Sequence, residues 1–468
     1  MASSSSNVSF SGLASGIDTA SIIQAMVTAR SQPIQTMQSQ RAALQSKRSA
    51  FSTLSSQLSA IEAISKKLDN LSDVSFSSSS LGEEFRSLSA TSSNTALFSA
   101  QVDSARGVTG THTVTVERLA KVAVASAGNG NGSTFASLDA EIATGTLTLT
   151  TGGTTTSITV DSSNHTLTGV RDAINASGAA VRATTIYDGT GYKLVVTGTK
   201  TGVANDVTLD ASGLNQSDLA KTLSFAKTQS AVDSRVLVDG VKIEHGDNVI
   251  EDALYGVTLT LNSESATAAT LSVGTNVAGV KSSIQSFVSS YNTAIGNINA
   301  QNTYTAGQTT STPALFGNST VRGLQASLAQ AVSDPVSGTS TYKMLADVGI
   351  HLEKDGTLSV DSAKLEDALT NDFEGVRALF VTRNGNDGVA GRVTKLIDAY
   401  VNSSTGYIGD AQEAIDDQVS DLDDRIDAAN RSLEEYQTTI TQQFLAMEST
   451  ISALKGQQTS LQAIFGFN

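Results

Sequence analysis

The feature that most constrains this chain is an apolar series near its end. Between residues 410 and 465, apolar side chains recur at alternating steps of three and four. They are Ile415, Val419, Leu422, Ile426, Ala429, Leu433, Tyr436, Ile440, Phe444, Met447, Ile451, Leu454, Leu461 and Phe465, with Gln458 interrupting the seam. Such spacing lays one apolar stripe along one side of a long helix. From Tyr436 the steps run four, four, three. That is an eleven-residue insert in a seven-residue repeat, which locally relaxes a left-handed supercoil. Asp410 is the predicted N-cap, with Glu413 completing a capping box. Gly456 is the first residue able to end or bend the helix. Between residues 411 and 455 the helix would be about 68 Å long at a rise of 1.5 Å per residue.

A helix cannot bury so long a stripe by itself, and periodic runs of this length usually belong to coiled coils or bundles. The natural partner lies at the other end of the chain. Asp18 reads as an N-cap, with Ile17 and Ile22 placed to form a hydrophobic staple. Pro33 is expected to open a second helix at its first position, carrying Ile34, Met37, Leu44, Phe51, Leu54, Leu58, Ile61, Leu68 and Leu71. The expected packing and oligomer contacts are therefore Leu54, Leu58 and Ile61 on one side. On the other they are Leu422, Ile426, Leu433, Tyr436, Ile440, Phe444, Met447, Ile451 and Leu454. Beyond the two breaks, Ile22, Ile23 and Met26 at one end and Leu461, Ile464 and Phe465 at the other form short apolar segments. They are suited to docking on a partner and folding on contact.

Between the terminal helices the texture changes to period-two alternation. Strands are expected at 96–102, 113–119, 147–150, 157–160, 180–187 and 192–197, with a short helix at 167–175. A hairpin with a favoured Asp239-Gly240 turn follows, then strands at 257–261 and 269–273. Helical period returns at Val280, Ile284, Phe287, Tyr291, Ile295 and Ile298. The expected fold is α+β and multidomain, with long terminal helices paired as a coiled-coil-like leg and two mainly β head domains nested between them. The expected divisions are a flexible segment at 1–40, a discontinuous helical leg domain with a small α/β part at 41–84 and 276–455, and a discontinuous β head domain at 85–126 and 229–275. An inserted small α+β domain spans 127–228, and a second flexible segment 456–468.

Composition narrows the chemistry. The chain has 468 residues, no Cys, no Trp and 3 Pro, so disulfides, cysteine zinc sites and thiol catalysis are excluded. A net charge of -15 leaves no basic surplus for nucleic acid. No secretory signal pattern or membrane span is read in the sequence. His112, His165, His245 and His351 are scattered without ligand spacing, and His112 and His165 read as surface residues. No zinc helix, phosphate loop or nucleophile elbow is present. The cluster Asp416, Asp417, Asp421, Asp423, Asp424 and Asp427 lacks the glycine and closing glutamate of a calcium loop. It reads as a solvated helix face, or as an electrostatic contact with a partner. No catalytic, cofactor-binding or metal-binding residue is assigned.

Several segments together resemble the flagellar filament cap proteins, the hook-associated protein 2 family. The first is Gly12-Leu13-Ala14-Ser15-Gly16-Ile17-Asp18 with the following Ile22, Ile23 helix. The central one is Asp239-Gly240 with Tyr255-Gly256-Val257-Thr258-Leu259-Thr260-Leu261. The third is Ser286-Phe287-Val288-Ser289-Ser290-Tyr291-Asn292, and the fourth Leu345-Ala346-Asp347-Val348-Gly349-Ile350 with Asp355-Gly356-Thr357-Leu358. The closing helix carries Gln443-Phe444 and Met447-Glu448. Residues 144–202, with Ile174-Asn175 and Gly191-Tyr192, are similar to a short repeat inserted in flagellins and hook-associated proteins.

The resemblance implies a non-catalytic structural cap at the distal tip of the bacterial flagellar filament. Copies form a ring-like homo-oligomer, often five-fold in the family, that retains exported flagellin and promotes its folding and polymerisation. Implied partners are flagellin, the hook-associated junction proteins and an export chaperone at the C-terminal segment. Host surface glycans join them in some relatives. Export without a cleaved signal through the flagellar type III pathway is also implied, with no cofactor. The alternatives are a surface adhesin and another flagellar axial protein of the junction or filament.

Overall fold

The computed structural model describes residues 15–69, 84–303, 312–338, 341–382 and 385–466, the side chains of 463–465 excepted. Leu71 and the side chains of Ile464 and Phe465 therefore lie outside the described residues. The chain divides into two compact units, one of residues 1–84 and 277–468 and one of residues 85–276.

Helix α1 (Thr19–Asp69) opens the helical unit. Asp18 caps it, accepting the Ser21 amide at 3.0 Å and the Ser21 hydroxyl at 2.5 Å. Pro33 does not start a second helix as the sequence suggested; α1 runs through it unbroken for 51 residues. Proline removes one donor from the helix ladder. Pro33 and Ala29, whose carbonyl loses that donor, are both exposed, so solvent can replace the bond.

The β unit holds two cores. The first is a sandwich. Its larger sheet is built from β1 (Leu88–Ser92), β3 (Gly110–Arg118), β11 (Ser234–Val238), β12 (Val241–His245) and β15 (Ala269–Thr275), in the order β1-β15-β3-β11-β12. The facing sheet runs β13-β14-β2, from β2 (Phe98–Val102), β13 (Val249–Leu254) and β14 (Val257–Leu261). Phe98, Val114, Val116, Val236, Leu259 and Leu271 fill the space between them, the alternate residues of strands with one wet face. The Asp239-Gly240 turn has φ of 48° and 81°, as the tightest hairpin requires. His112 is not a free surface residue: its Nδ1 lies 2.7 Å from Asp239 Oδ2, so it helps hold this turn.

The second core lies between two smaller sheets and a helix. One sheet runs β10-β4-β8-β7, from β4 (Val122–Asn129), β7 (Val181–Tyr187), β8 (Tyr192–Thr201) and β10 (Leu223–Gln229). The other runs β6-β5-β9, from β5 (Gly145–Thr151), β6 (Thr154–Val160) and β9 (Val207–Asp210). Helix α2 (Leu167–Ala176) is capped by Thr166 and buries Leu167, Val170 and Ile174. Two side-chain amides brace this unit. Asn175 accepts the Ala183 amide at 2.8 Å and donates to the Ala183 carbonyl at 3.0 Å. Asn248 does the same to Ala120, at 2.7 and 3.0 Å, where the chain passes from one core to the other.

The helical unit resumes with α3 (Val277–Asn302), α4 (Ser319–Ser333), the hairpin of β16 (Ile350–Leu352) and β17 (Leu358–Val360), α5 (Ser362–Asn371), α6 (Phe373–Phe380), α7 (Val389–Val401) and α8 (Tyr407–Phe465). Val280, Ile284, Phe287, Tyr291, Ile295 and Ile298 form the buried face of α3, and Phe287 meets Phe380 edge-on at 6.5 Å. Asn292 accepts the Leu358 amide and donates to its carbonyl, both at 2.7 Å, so the hairpin is pinned to α3. At the end of α1, Asp69 accepts both the backbone amide and the hydroxyl of Thr382.

Helix α8 differs from expectation at both ends. Its N-cap is Gly406, not Asp410. A Cβ at Gly406 would lie 2.5 Å from the Asn402 carbonyl oxygen, so only glycine permits this tight entry. Asp410 sits instead in the first turn, where a negative charge suits the helix dipole. Gly456 does not end the helix. Gly466 does, with φ of 64° and its amide bonded to the Gln462 carbonyl.

Asp69 gives a pH test. Burial raises its pKa above the ordinary carboxylate value, against the Thr382 hydrogen bonds. A folded-state pKa above the unfolded one means this group favours the fold at low pH, and that contribution is lost as pH rises through the folded value. Wild-type protein should therefore lose stability relative to Asp69→Asn as pH rises above the ordinary carboxylate value of about 4. Parallel urea-unfolding curves across that range would show the effect absent.

Candidate assembly surface

The candidate surface is the antiparallel pair formed by α1 and α8. Its register is written in side-chain contacts. Arg48 Nε lies 2.5 Å from Asp416 Oδ1, and Arg41 Nε lies 2.7 Å from Asp423 Oδ1. Each partner set is seven residues apart on its own helix, two turns, with the order reversed. Further along, the Arg30 guanidinium stands 4.7 Å over the Tyr436 ring, and Ser15 donates its hydroxyl and amide to Glu448. One register therefore persists from the base of the pair to the first described residue. At 59 residues, α8 is about 88 Å long.

The acidic cluster is thus divided. Asp416 and Asp423 turn toward α1 as ion-pair partners, whereas Asp417, Asp424 and Asp427 stay exposed. Sequence reasoning missed the arginines. Their seven-residue spacing, matching that of the two aspartates, was the available signal.

Burial along the seam declines away from the core, but unevenly: Ile440 is buried beyond the half-buried Leu433 and Tyr436. Leu54, Leu58 and Ile61 are fully enclosed where α1 runs beside α3 and α7; there Asn297 of α3 donates to Gln57 at 2.9 Å. Ile415, Leu422, Ile426 and Ile440 are buried in the pair, opposite a face of α1 that includes Ile34. Leu433, Tyr436, Phe444 and Ile451 are half-buried. Met447 is exposed at 37%, Leu454 at 58% and Leu461 at 54%. On α1, Ile22 and Met26 are exposed and Ile23 is half-buried. The pair encloses the stripe as far as Ile440 but leaves Met447, Leu454 and Leu461 uncovered, so apolar surface at that end is available to another molecule. No helix among the described residues is long and apolar enough to cross a membrane.

The ion pairs and the apolar seam contribute unequally. Arg41, Arg48 and their aspartates are all about half exposed, and such solvent-screened pairs contribute little to stability. Ile440 is 5% exposed, and removing a buried isoleucine side chain costs about 2–5 kcal/mol. Urea unfolding of the full chain should therefore rank Ile440→Ala as clearly more damaging than Arg41→Ala or Arg48→Ala. Only the arginine variants should become indistinguishable from wild type in high salt.

Comparison with known proteins points one way. Residues 15–123 match the family model for the flagellar hook-associated protein 2 N-terminus, and residues 231–456 that for its C-terminus. The B-type flagellar hook-associated protein 2 of Pseudomonas aeruginosa PAO1 is 32% identical over 407 residues, covering 81% of this chain and 82% of that one. Flagellar hook-associated protein 2 of Escherichia coli K12 is 29% identical over 99% of both chains. Among solved structures, the D1-D2-D3 domains of the Escherichia coli flagellar cap protein align with a TM-score of 0.52 and 29% identity. They cover 78% of this chain and 99% of that one.

Proposed function

The chain belongs to the flagellar hook-associated protein 2 family, and from that premise we propose that it caps the distal tip of the flagellar filament. Copies assemble into a plate that retains exported flagellin and promotes its folding and addition to the growing end. The role is mechanical and non-catalytic, because holding and releasing subunits requires reversible contacts and no bond chemistry. Its partners are further copies of itself, flagellin and the hook-associated junction proteins. An export chaperone holds the C-terminal segment before export through the flagellar type III pathway.

The observation that carries the reading is the incompletely enclosed stripe of the α1–α8 pair. Leu454 and Leu461 stand open on a helix whose earlier seam residues, Leu422, Ile426 and Ile440, are buried. Such a stripe docks on other helices by helix packing. Met447, Ile451, Leu454 and Leu461 are the contacts assigned to that docking.

Two measurements test the reading. Electron microscopy of the purified full chain should show closed rings or plates; long uniform filaments would mean that it is a filament subunit. In cells lacking the protein, flagellin should escape into the medium. The wild-type chain should restore filaments, and Leu454→Asp combined with Leu461→Asp should not, with the folded core intact by circular dichroism. Full restoration by that double variant would remove the stripe from the mechanism.

A further inference from the structure

Strand β7 is the outer strand of its sheet and pairs with β8 from Val181 to Tyr187 without a register shift. In such an antiparallel pair, alternate residues turn their N–H and C=O groups toward the neighbour and away from it. Asn175 identifies the outward set, because its carboxamide engages both backbone groups of Ala183. Ala183, Thr185 and Tyr187 therefore face the free edge. Asn175 fills the first of these positions as a neighbouring strand would. The positions at Thr185 and Tyr187 have no backbone partner there among the described residues.

Free edges are ordinarily protected by charge, by a bulge or by cover. Strand β10, at the other margin of the same sheet, has a register break between Lys227 and Gln229. The edge strand β12 carries Lys242 and Glu244. The stretch from Thr184 to Tyr187 has neither charge nor bulge, and it displays Ile186 at 49% and Tyr187 at 58% exposure.

We propose that this open edge is a contact between two copies of the chain. Strand β7 of one copy pairs antiparallel with β7 of the other about a two-fold axis through Ile186. In that register Thr185 of each copy lies opposite Tyr187 of the other, closing four backbone hydrogen bonds. Ile186 meets its own counterpart in the intervening non-hydrogen-bonded pair, where side chains approach closest. The neighbouring two-fold registers fail. Centring on Thr185 brings the Asn175 plug into the ladder, and centring on Tyr187 brings in Gly189, which leaves the strand with φ of 98°. An unrelated strand could use the same two positions. A second copy alone brings matching open positions together with an equally exposed isoleucine. Such an isologous contact joins copies in twos and does not itself close a ring, so it goes beyond the assembly proposed above and is tested separately.

The chain has no cysteine, so Ile186→Cys in the full-length protein introduces a single thiol. Opposed Cβ atoms in such a pair lie about 4.5–5.5 Å apart, close to disulfide range. Mild oxidation at micromolar protein should give a covalent dimer about tenfold faster than for Val249→Cys, a comparably exposed position at 46% on the same unit. Adding Thr185→Pro, at a position whose N–H faces away from β8, should remove that advantage with circular dichroism unchanged. If Thr185→Pro does not fold, Ile186→Lys in the cysteine-free chain should instead abolish two-fold association in sedimentation. Equal crosslinking at 186 and 249, or crosslinking indifferent to a folded Thr185→Pro, overturns the proposal. Crosslinking of the Cys-bearing protein only to added flagellin that carries its own introduced cysteine, and not to itself, assigns the edge to a foreign strand and also overturns it. Rings seen by microscopy alongside a failed crosslink would overturn this contact alone.

Discussion

The pairing of α1 with α8 is the constraint on which the helical unit depends. It joins segments 368 residues apart, as the contact of Arg48 with Asp416 shows, and so closes a loop containing most of the chain. Closing a loop costs entropy that grows only slowly with its length, so a moderate seam suffices once the core beside it is formed. That core is where α1 meets α3 and α7, with Leu58, Ile61 and Leu68 fully enclosed. The pair extends from it to an exposed far end at Leu454 and Leu461. The same helices thus serve as core at one end and as available surface at the other.

Three asparagines do a second kind of structural work. Asn175, Asn248 and Asn292 each present a carboxamide to the N–H and C=O of one residue: Ala183, Ala120 and Leu358. A buried backbone group left without a partner costs free energy comparable to a lost hydrogen bond. An amide side chain is the one uncharged group that supplies both donor and acceptor at strand spacing. These contacts brace the edge of β7, the passage between the two β cores, and the seat of the small hairpin on α3. Ile174-Asn175 and Tyr291-Asn292 thereby share a physical logic. The first residue of each enters a core, and the asparagine beside it holds the adjoining backbone.

Each feature legible in the sequence had a local cause. The stripe on α8 follows from apolar spacing, the Asp239-Gly240 hairpin from the backbone freedom of its turn, and the start of α1 from the Asp18 cap. The alternation of β5 and β6 follows from burial of one face of each strand, Leu147 and Leu149 inward with Thr146, Thr148 and Thr150 outward. The misreadings at Pro33 and Gly456 have a common origin. Both residues disfavour a helix in isolation. At Pro33 the seam, with Ile34 buried beside it, holds the helix, whereas at Gly456 the helix propagates through a residue flanked by the exposed Leu454 and Leu461, since extending a formed helix costs little. Gly406 was overlooked because its role arises from contact with Asn402 and Tyr400, which no periodicity records.

By itself the sequence determined the long helices, α2 and the strands with clean alternation, and which of their faces are apolar, because those properties depend on neighbours a few residues away; β1, β4, β9, β10 and β13 were not legible in it. It also determined the absence of thiol chemistry, since the chain has no cysteine. Only the tertiary structure decided which aspartates of α8 meet arginines, how burial is graded along the seam, and which positions on the edge of β7 stay open. These depend on distances between residues remote in the chain. Periodicity states that a face must be covered, and the packed fold alone states what covers it and where the cover stops.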